Sequence, residues 1–276
     1  MGFVNADGSD AIYIRLIVRA YGVRSDFWRP VLTGDNNTLI VKVIDYHYSV
    51  FAPRYLTVWR TGEYPVLCTQ WEYQQMPLLS AGHSHIFIRT EQGMALYALD
   101  DCGTDDGPVE VYENIFGVPS PDLQYVAYTE NPSRIPTDDR FIIIRNIVNG
   151  EERTAGVGDY PAWSRDSQWL AYTGRDGIYV VNVSDETELR RVLLYPNPFD
   201  ERDPTYAGRD YWEIPPEVSW SPDGQWLVYH RWHGTDYFTG VYPEYSSIYK
   251  LNVETGEEIK IIDGGMYPSW RWPAQP

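Results

Sequence analysis

Enzymatic chemistry needs nucleophiles, proton carriers or metal ligands at workable spacing, and in this chain of 276 residues such constellations are scarce. Five histidines, His47, His83, His85, His230 and His233, are the side chains whose ordinary titration falls near neutrality. His83 and His85, two apart, would project to one side of a strand, but no acidic third ligand stands in register with them, so no metal site is expected. No G-x-S-x-G elbow occurs and no Ser, His and Asp trio is set by the motifs. Carboxylates are plentiful, and Asp200, Glu201, Asp203, Asp210, Glu213 and Glu217 could supply the pair that glycoside cleavage requires. Their spacing singles out no two of them, and with 39 acidic residues such crowding arises by chance. No catalytic residue and no cofactor is therefore assigned, and the balance leans away from an enzyme.

The concentrated residue type is aromatic. Two stretches, "PNPFDERDPTYAGRDYWEIPP" (Pro196 to Pro216) and "HRWHGTDYFTGVYPEYS" (His230 to Ser246), are long, rich in Tyr and Trp, and interspersed with Arg and Asp, the composition of recognition surfaces. They nominate Tyr206, Tyr211, Trp212, His230, Trp232, His233, Tyr237, Tyr242 and Tyr245 as ligand-binding residues. The plainer reading is that these rings pack on one another to hold long loops down, and the two readings are compatible.

Composition narrows the partner class. A formal charge of −17 repels phosphate backbones and anionic lipid surfaces, so nucleic acid is not an expected partner. No window reaches the roughly 18 apolar residues of a membrane span, and the N-terminus lacks a signal peptide's basic and apolar regions. Cys68 and Cys102 do not have metal-site spacing; they form either a disulfide of an exported protein or two unpaired thiols. Asn36-Asn37-Thr38 and Asn182-Val183-Ser184 match the glycosylation pattern, a motif short enough to arise by chance.

The elements that would position these residues are repeated. "VSWSPDGQWLVY" (Val218 to Tyr229) is matched by "PAWSRDSQWLAY" (Pro161 to Tyr172), by "VPSPDLQYVAY" (Val118 to Tyr128) and by the truncated "YPSWRW" (Tyr267 to Trp272). Each full copy reads as an apolar strand, a Ser-Pro-Asp-Gly type of reversal and a second strand, with the turn Asp expected to bond the backbone two residues on. Third and fourth runs follow: "IYVVNV" and "LRRVLLY" after one hairpin, "IYKLNV" and "EEIKIID" after another. Third-strand runs recur at Ile12, Tyr55, Ala95, Phe141, Ile178 and Ile248. The hairpins "RPVLTGDNNTLIVKVI" and "MPLLSAGHSHIFIR" keep strand, polar turn and strand but lose the Trp and the Ser-Pro-Asp-Gly. Trp163, Trp220 and Trp270 are expected to pack between neighbouring units.

The motif P-x-W-S-P-D-G followed by I-Y-x-x-x-x resembles the TolB-like (WD40-like PD40) six-bladed β-propellers, strongly over about residues 117 to 276 and by pattern before that. The resemblance implies an all-β fold of four-stranded antiparallel blades in one domain, 1 to 276. A ring closed by the C-terminal strand would complete the N-terminal blade and remove an open edge. It implies function only loosely, because the superfamily includes bacterial envelope interaction hubs, peptidase propellers and lyases. A peptidase would need a hydrolase domain for which this chain leaves no room. The reading adopted is a non-enzymatic binding or scaffold module that recognises a protein or peptide through aromatic loops on one propeller face. Its alternative is a carbohydrate-binding or carbohydrate-cleaving propeller. An extracytoplasmic location, periplasmic or secreted, follows from the resemblance alone.

Overall fold

The computed structural model describes residues 2–3, 12–13, 25–32, 38–45, 54–60, 66–68, 78–79, 85–90, 92–102, 104, 106–130, 140–174, 176–185, 188–194, 217–232, 246–265 and 268–270. Among these the chain is all β, with a single 3-10 turn at Leu99–Asp101. Strands β1 (Gly2–Phe3) and β2 (Ile12–Tyr13) pair as a two-stranded sheet. The other strands form five four-stranded antiparallel sheets, each a sequential meander. The first contains β3 (Ser25–Leu32), β4 (Thr38–Asp45), β5 (Arg54–Arg60) and β6 (Val66–Cys68); the second contains β7 (Leu78–Leu79), β8 (His85–Arg89), β9 (Gly93–Ala98) and β10 (Glu110–Glu113). Thus both degenerate hairpins of the sequence open complete four-stranded sheets.

Three further sheets carry the clear repeats. They are β11 (Val118–Pro119), β12 (Tyr125–Glu130), β13 (Phe141–Asn146) and β14 (Glu152–Val157); then β15 (Asp159–Trp163), β16 (Trp169–Thr173), β17 (Gly177–Asn182) and β18 (Leu189–Leu194); then β19 (Val218–Trp220), β20 (Trp226–Trp232), β21 (Ser246–Asn252) and β22 (Glu258–Asp263). Contacts divide the chain into two compact units. The N-terminal unit is Met1–Phe116 with Ser269–Pro276, and the C-terminal unit is Gly117–Pro268.

In the C-terminal unit the inner strands are buried on both faces, as the consecutive buried residues Ile142, Ile143 and Ile144 or Leu227, Val228 and Tyr229 require. Ala127, Ile142 and Ile144 of one sheet pack against Trp163, Leu170 and Tyr172 of the next. Ala171, Ile178 and Val180 then meet Trp220, Leu227 and Tyr229. The two tryptophans are 7% and 3% exposed, so the packing role expected of them holds. Each also satisfies its indole N–H across the seam: Trp163 Nε1 donates to the Val118 carbonyl at 2.7 Å, and Trp220 Nε1 to the Ala162 carbonyl at 3.0 Å. Trp270, half-buried, belongs with the N-terminal unit.

The first reversal of each of these three C-terminal sheets repeats atom by atom. Ser120, Ser164 and Ser221 donate their hydroxyls to Asp122, Asp166 and Asp223 at 2.6, 2.6 and 2.5 Å. Those carboxylates accept the backbone N–H of Gln124, Gln168 and Gln225, two residues on, at 3.1, 3.0 and 3.0 Å. The Ser hydroxyls in turn accept the N–H of Tyr125, Trp169 and Trp226. The fourth turn residue has φ of +59° at Leu123, +61° at Ser167 and +70° at Gly224, which explains why Gly appears there in the least altered copy. The third-to-fourth turns use a second device. Asn146, Asn182 and Asn252 each accept the backbone N–H groups of the residues two and three positions on.

Sheets are also tied at their outer strands. Arg153 on β14 donates through Nη2 to the carbonyls of Asn182 at 3.3 Å and Val183 at 2.8 Å, in the β17–β18 turn. Arg190 on β18 lies over the Trp169 ring and reaches Glu254 at 3.1 Å, in the β21–β22 turn. Registers Ile144↔Arg153 and Val180↔Arg190 put the two arginines at equivalent places.

Replacing Trp220 with Ala should cost about 3–5 kcal/mol in equilibrium unfolding by denaturant, and Trp220→Phe about 1–2 kcal/mol, since Phe keeps most of the packing but orphans the Ala162 carbonyl. A loss below about 1 kcal/mol for the Ala variant would contradict the seam role.

Candidate functional site

Register decides which ends of the strands lie together. Within the β19–β22 sheet, Val218 pairs with Tyr229, Trp232 with Ser246 and Ser247 with Asp263. The start of the first strand, the second-to-third connection and the exit of the fourth strand therefore share one end. The β15–β18 sheet repeats this with Asp159↔Thr173, Thr173↔Ile178 and Gly177↔Leu194. In the β11–β14 sheet, Glu130↔Phe141 and Phe141↔Val157 give the same layout.

The two ends of these three sheets differ in kind. One end holds the short reversals described above, whose polar groups are spent within the turn or on the neighbouring sheet. The other receives the connections 131–140, 174–176, 233–245 and 195–217. Both aromatic stretches nominated from sequence are thus rooted at one end of the β19–β22 sheet. This loop end is the candidate site. A third long connection, 131–140, joins it from the β11–β14 sheet, and sequence reading had passed over it because it carries no aromatic signal.

The nominated residues fall mostly outside the described residues: Tyr206, Tyr211, Trp212, His233, Tyr237, Tyr242 and Tyr245 all do. Trp232 closes β20, where its backbone pairs with Ser246. His230 lies two residues earlier opposite Ile248 and is buried, as are Ser246 and Ser247 on the neighbouring strand and Thr173 at the end of β16. Of the early carboxylate candidates, only Glu217 is described, half-buried at the foot of β19. His85, at the start of β8, is half-buried, and His83 lies outside the described residues. Among the described residues no group of three His, Cys, Asp or Glu is disposed to hold a metal ion.

What the described loop end does show is a set of anchors for the loops. Asp159 accepts the Thr129 hydroxyl at 2.8 Å and the Tyr160 backbone N–H at 3.0 Å, and its second oxygen pairs with Arg140. One carboxylate thereby ties the end of β12, the residue before β13 and the start of β15. Tyr160 lies in the register shift between Asp159 and Ala162 and takes φ of +56°, a costly conformation for an aromatic residue. Asp176, between β16 and β17, accepts the Tyr179 hydroxyl at 2.6 Å and pairs with Arg191 at 2.5 Å. The Tyr179 hydrogen bond, with help from Arg191, holds the Asp176 carboxyl below its usual range. Tyr179 stacks on Tyr172, ring centroids 5.4 Å apart and planes 9° from parallel. Tyr172 in turn lies so close over Gly156 that a Cβ there would strike its phenol oxygen. Under the β20–β21 connection, Ser247 donates to Asp263 at 2.8 Å, Lys260 pairs with the same carboxylate at 2.9 Å, and Ser246 donates to the Gly265 carbonyl.

On the outer flank, an open depression of about 470 Å³ is lined by Tyr125, Ile144, Asn146, Glu151, Glu152, Arg153 and Val183. Its Arg153 is engaged with the Asn182 and Val183 carbonyls, Glu151 with Asn149, and Glu152 with Tyr128. Its charged groups therefore serve sheet-to-sheet and turn contacts.

Comparison with solved structures adds the fold. TolB from Acinetobacter baumannii aligns with a TM-score of 0.56 at 13% identity, over 89% of this chain and 57% of that one. A putative TolB from Agrobacterium tumefaciens aligns with a TM-score of 0.54 at 16% identity, over 89% of this chain and 86% of that one. The fold is TolB-like. At such identities the likeness speaks for the propeller architecture alone, and this chain spans under two thirds of the Acinetobacter protein's length. No family model and no curated protein matches the sequence. No helix among the described residues is long and apolar enough to cross a membrane.

The anchor at Tyr172 predicts a pH response. Burial, reinforced by the nearby Tyr179 and Asp176, pushes its phenol up to about 12 from an ordinary 10. Between these values the unfolded chain has released a proton that the folded chain still holds, so stability falls as pH rises from 10 toward 12 and is fully present below 10. Melting temperature measured from pH 8 to 12 should drop across that window, and less steeply in Tyr172→Phe; parallel profiles would show that another group controls alkaline unfolding.

Proposed function

We propose that this protein is a non-enzymatic binding or scaffold module that presents the loop end of its sheets to a protein or peptide partner. The observation that carries the reading is the asymmetry of the three C-terminal sheets. One end is spent on self-satisfied turns, while the other is anchored by Asp159, Asp176 and Asp263 and carries every long connection. Long connections on a rigid scaffold are where recognition concentrates. The TolB-like fold supports the reading, since that resemblance includes interaction hubs of the bacterial envelope. On this view the aromatic residues from Tyr206 to Trp212 and from Trp232 to Tyr245 make the contacts, with buried His230 supporting the stem of their loop.

We further propose that the two units form one six-bladed propeller, 1 to 276. In it, the C-terminal strand joins β1 and β2 to complete the N-terminal blade. The β1–β2 pair, two-stranded among the described residues, and the grouping of residues 269–276 with the N-terminal unit support that closure.

The first test of the function is a thermal-shift screen against oligosaccharides, basic and aromatic peptides and divalent metals, followed by binding assays with any peptide that raises the melting temperature. A rise with peptides that disappears in Trp232→Ala/Tyr242→Ala, without loss of basal stability, is the expected result. A rise confined to one sugar class would replace this reading with the carbohydrate one. For closure, deleting residues 265–276 should abolish cooperative unfolding; a truncated chain that melts like the full one would sink the six-bladed ring.

A further inference from the structure

The sheets of the C-terminal unit are joined twice, by an indole N–H to the preceding first strand and by an arginine from an outer strand to the following sheet's third-to-fourth turn. The two four-stranded sheets of the N-terminal unit lack the residues for the first device. Their opening runs "RPVL" and "MPLL" end in Leu where the later copies have Trp, and their turns lack Ser-Pro-Asp-Gly. Yet Ile86, Phe87, Ile88, Met94 and Ala95 are as deeply buried as the core of the other unit.

A different tie is present there. Cys102, which follows the 3-10 turn at the end of β9, is 8% exposed and disulfide-bonded, and no free cysteine occurs among the described residues. The chain has one other cysteine, Cys68, which ends β6. β6 is the outer strand of its sheet, and Cys102 begins the third-to-fourth connection of the next one. These are the same two kinds of element that Arg153 and Arg190 join in the C-terminal unit.

We infer that Cys102 is bonded to Cys68, that this bond ties the β3–β6 sheet to the β7–β10 sheet where the opening strands carry Leu in place of the seam Trp, and that the protein matures in an oxidising compartment. Closing the bond takes two protons and two electrons from the two thiols. They pass to the disulfide of a thiol–disulfide exchange partner such as oxidised glutathione, which leaves as two thiols. Because the C-terminal unit carries no cysteine, reduction should loosen one unit and spare the other. This inference is independent of the proposed binding function, and no outcome of the ligand screen bears on it.

The test uses the full chain refolded in a glutathione redox buffer. Alkylation under denaturing conditions without reductant, read by intact mass, should find no free thiol in a monomer, and two after dithiothreitol. Hydrogen exchange followed by mass spectrometry should then show faster exchange on reduction in peptides spanning β3 to β10, with β12 to β21 unchanged. The melting temperature should fall by about 5–15 °C on reduction. Cys68→Ser/Cys102→Ser should melt like the reduced protein and ignore dithiothreitol. Failure of that variant to fold while the oxidised wild type does would count the same way, and the wild-type measurements stand without it. Two alkylated thiols in the refolded protein, a disulfide-linked dimer, or equal loosening of both units would overturn the inference.

Discussion

A four-stranded sheet with apolar side chains on both faces is not a stable object alone; each face must be covered by another sheet. Everything else in this molecule follows from that demand. Covering a face removes apolar area from water at roughly 25 cal/mol per Å², which is favourable but carries no direction. Direction comes from the indole N–H groups of Trp163 and Trp220. Each is buried, so it must find an acceptor, and each finds a backbone carbonyl of the preceding first strand. A ring that must both fill a seam and reach one oxygen sets how far one sheet slides over the next. The arginine links at the outer strands limit splay from the other side.

This arrangement leaves each sheet with two ends of unequal freedom. At one, Ser, Asp and Asn side chains spend their hydrogen bonds on the turn they occupy, and little surface chemistry remains for a partner. At the other, the stems are pinned by carboxylates that gather groups from successive elements, as Asp159 does for Thr129, Arg140 and the Tyr160 amide. Pinned stems allow the connections between them to vary in length and composition without disturbing the seams. The strained φ of Tyr160 is tolerated because the cluster around Asp159 over-determines it.

The same logic accounts for the uneven sequence of the two units. Where Trp and the Ser-Pro-Asp-Gly turn persist, non-covalent ties suffice. Where they have been lost, the sheets still form, because strand, polar turn and strand are enough to make a meander. The opening runs of those sheets end in Leu where the later ones end in Trp, and the disulfide-bonded Cys102 stands in that same unit.

Local devices were legible without coordinates. The turn Asp at 122, 166 and 223 bonds the backbone two residues on, because a short carboxylate in a tight reversal lies within reach of that N–H. The runs "FIIIRN", "IYVVNV" and "IYKLNV" had to be strands, because β-branched and aromatic residues in such density suit only a pleated sheet buried on both sides. The Asn that closes each of these strands, Asn146, Asn182 and Asn252, was visible too, although its turn role is not legible from the residue type alone. Tertiary structure alone decided the rest. Arg153 and Arg190 are unremarkable charges until register places them opposite the next sheet's turn, and Asp159 is one of 39 acids until Thr129 and Arg140 converge on it. A side chain's contacts within its own strand or turn depend on neighbours a few residues away, which sequence supplies. Its contacts across a seam depend on how two sheets twist and slide, and those are set by the summed packing of residues 30 to 60 positions apart.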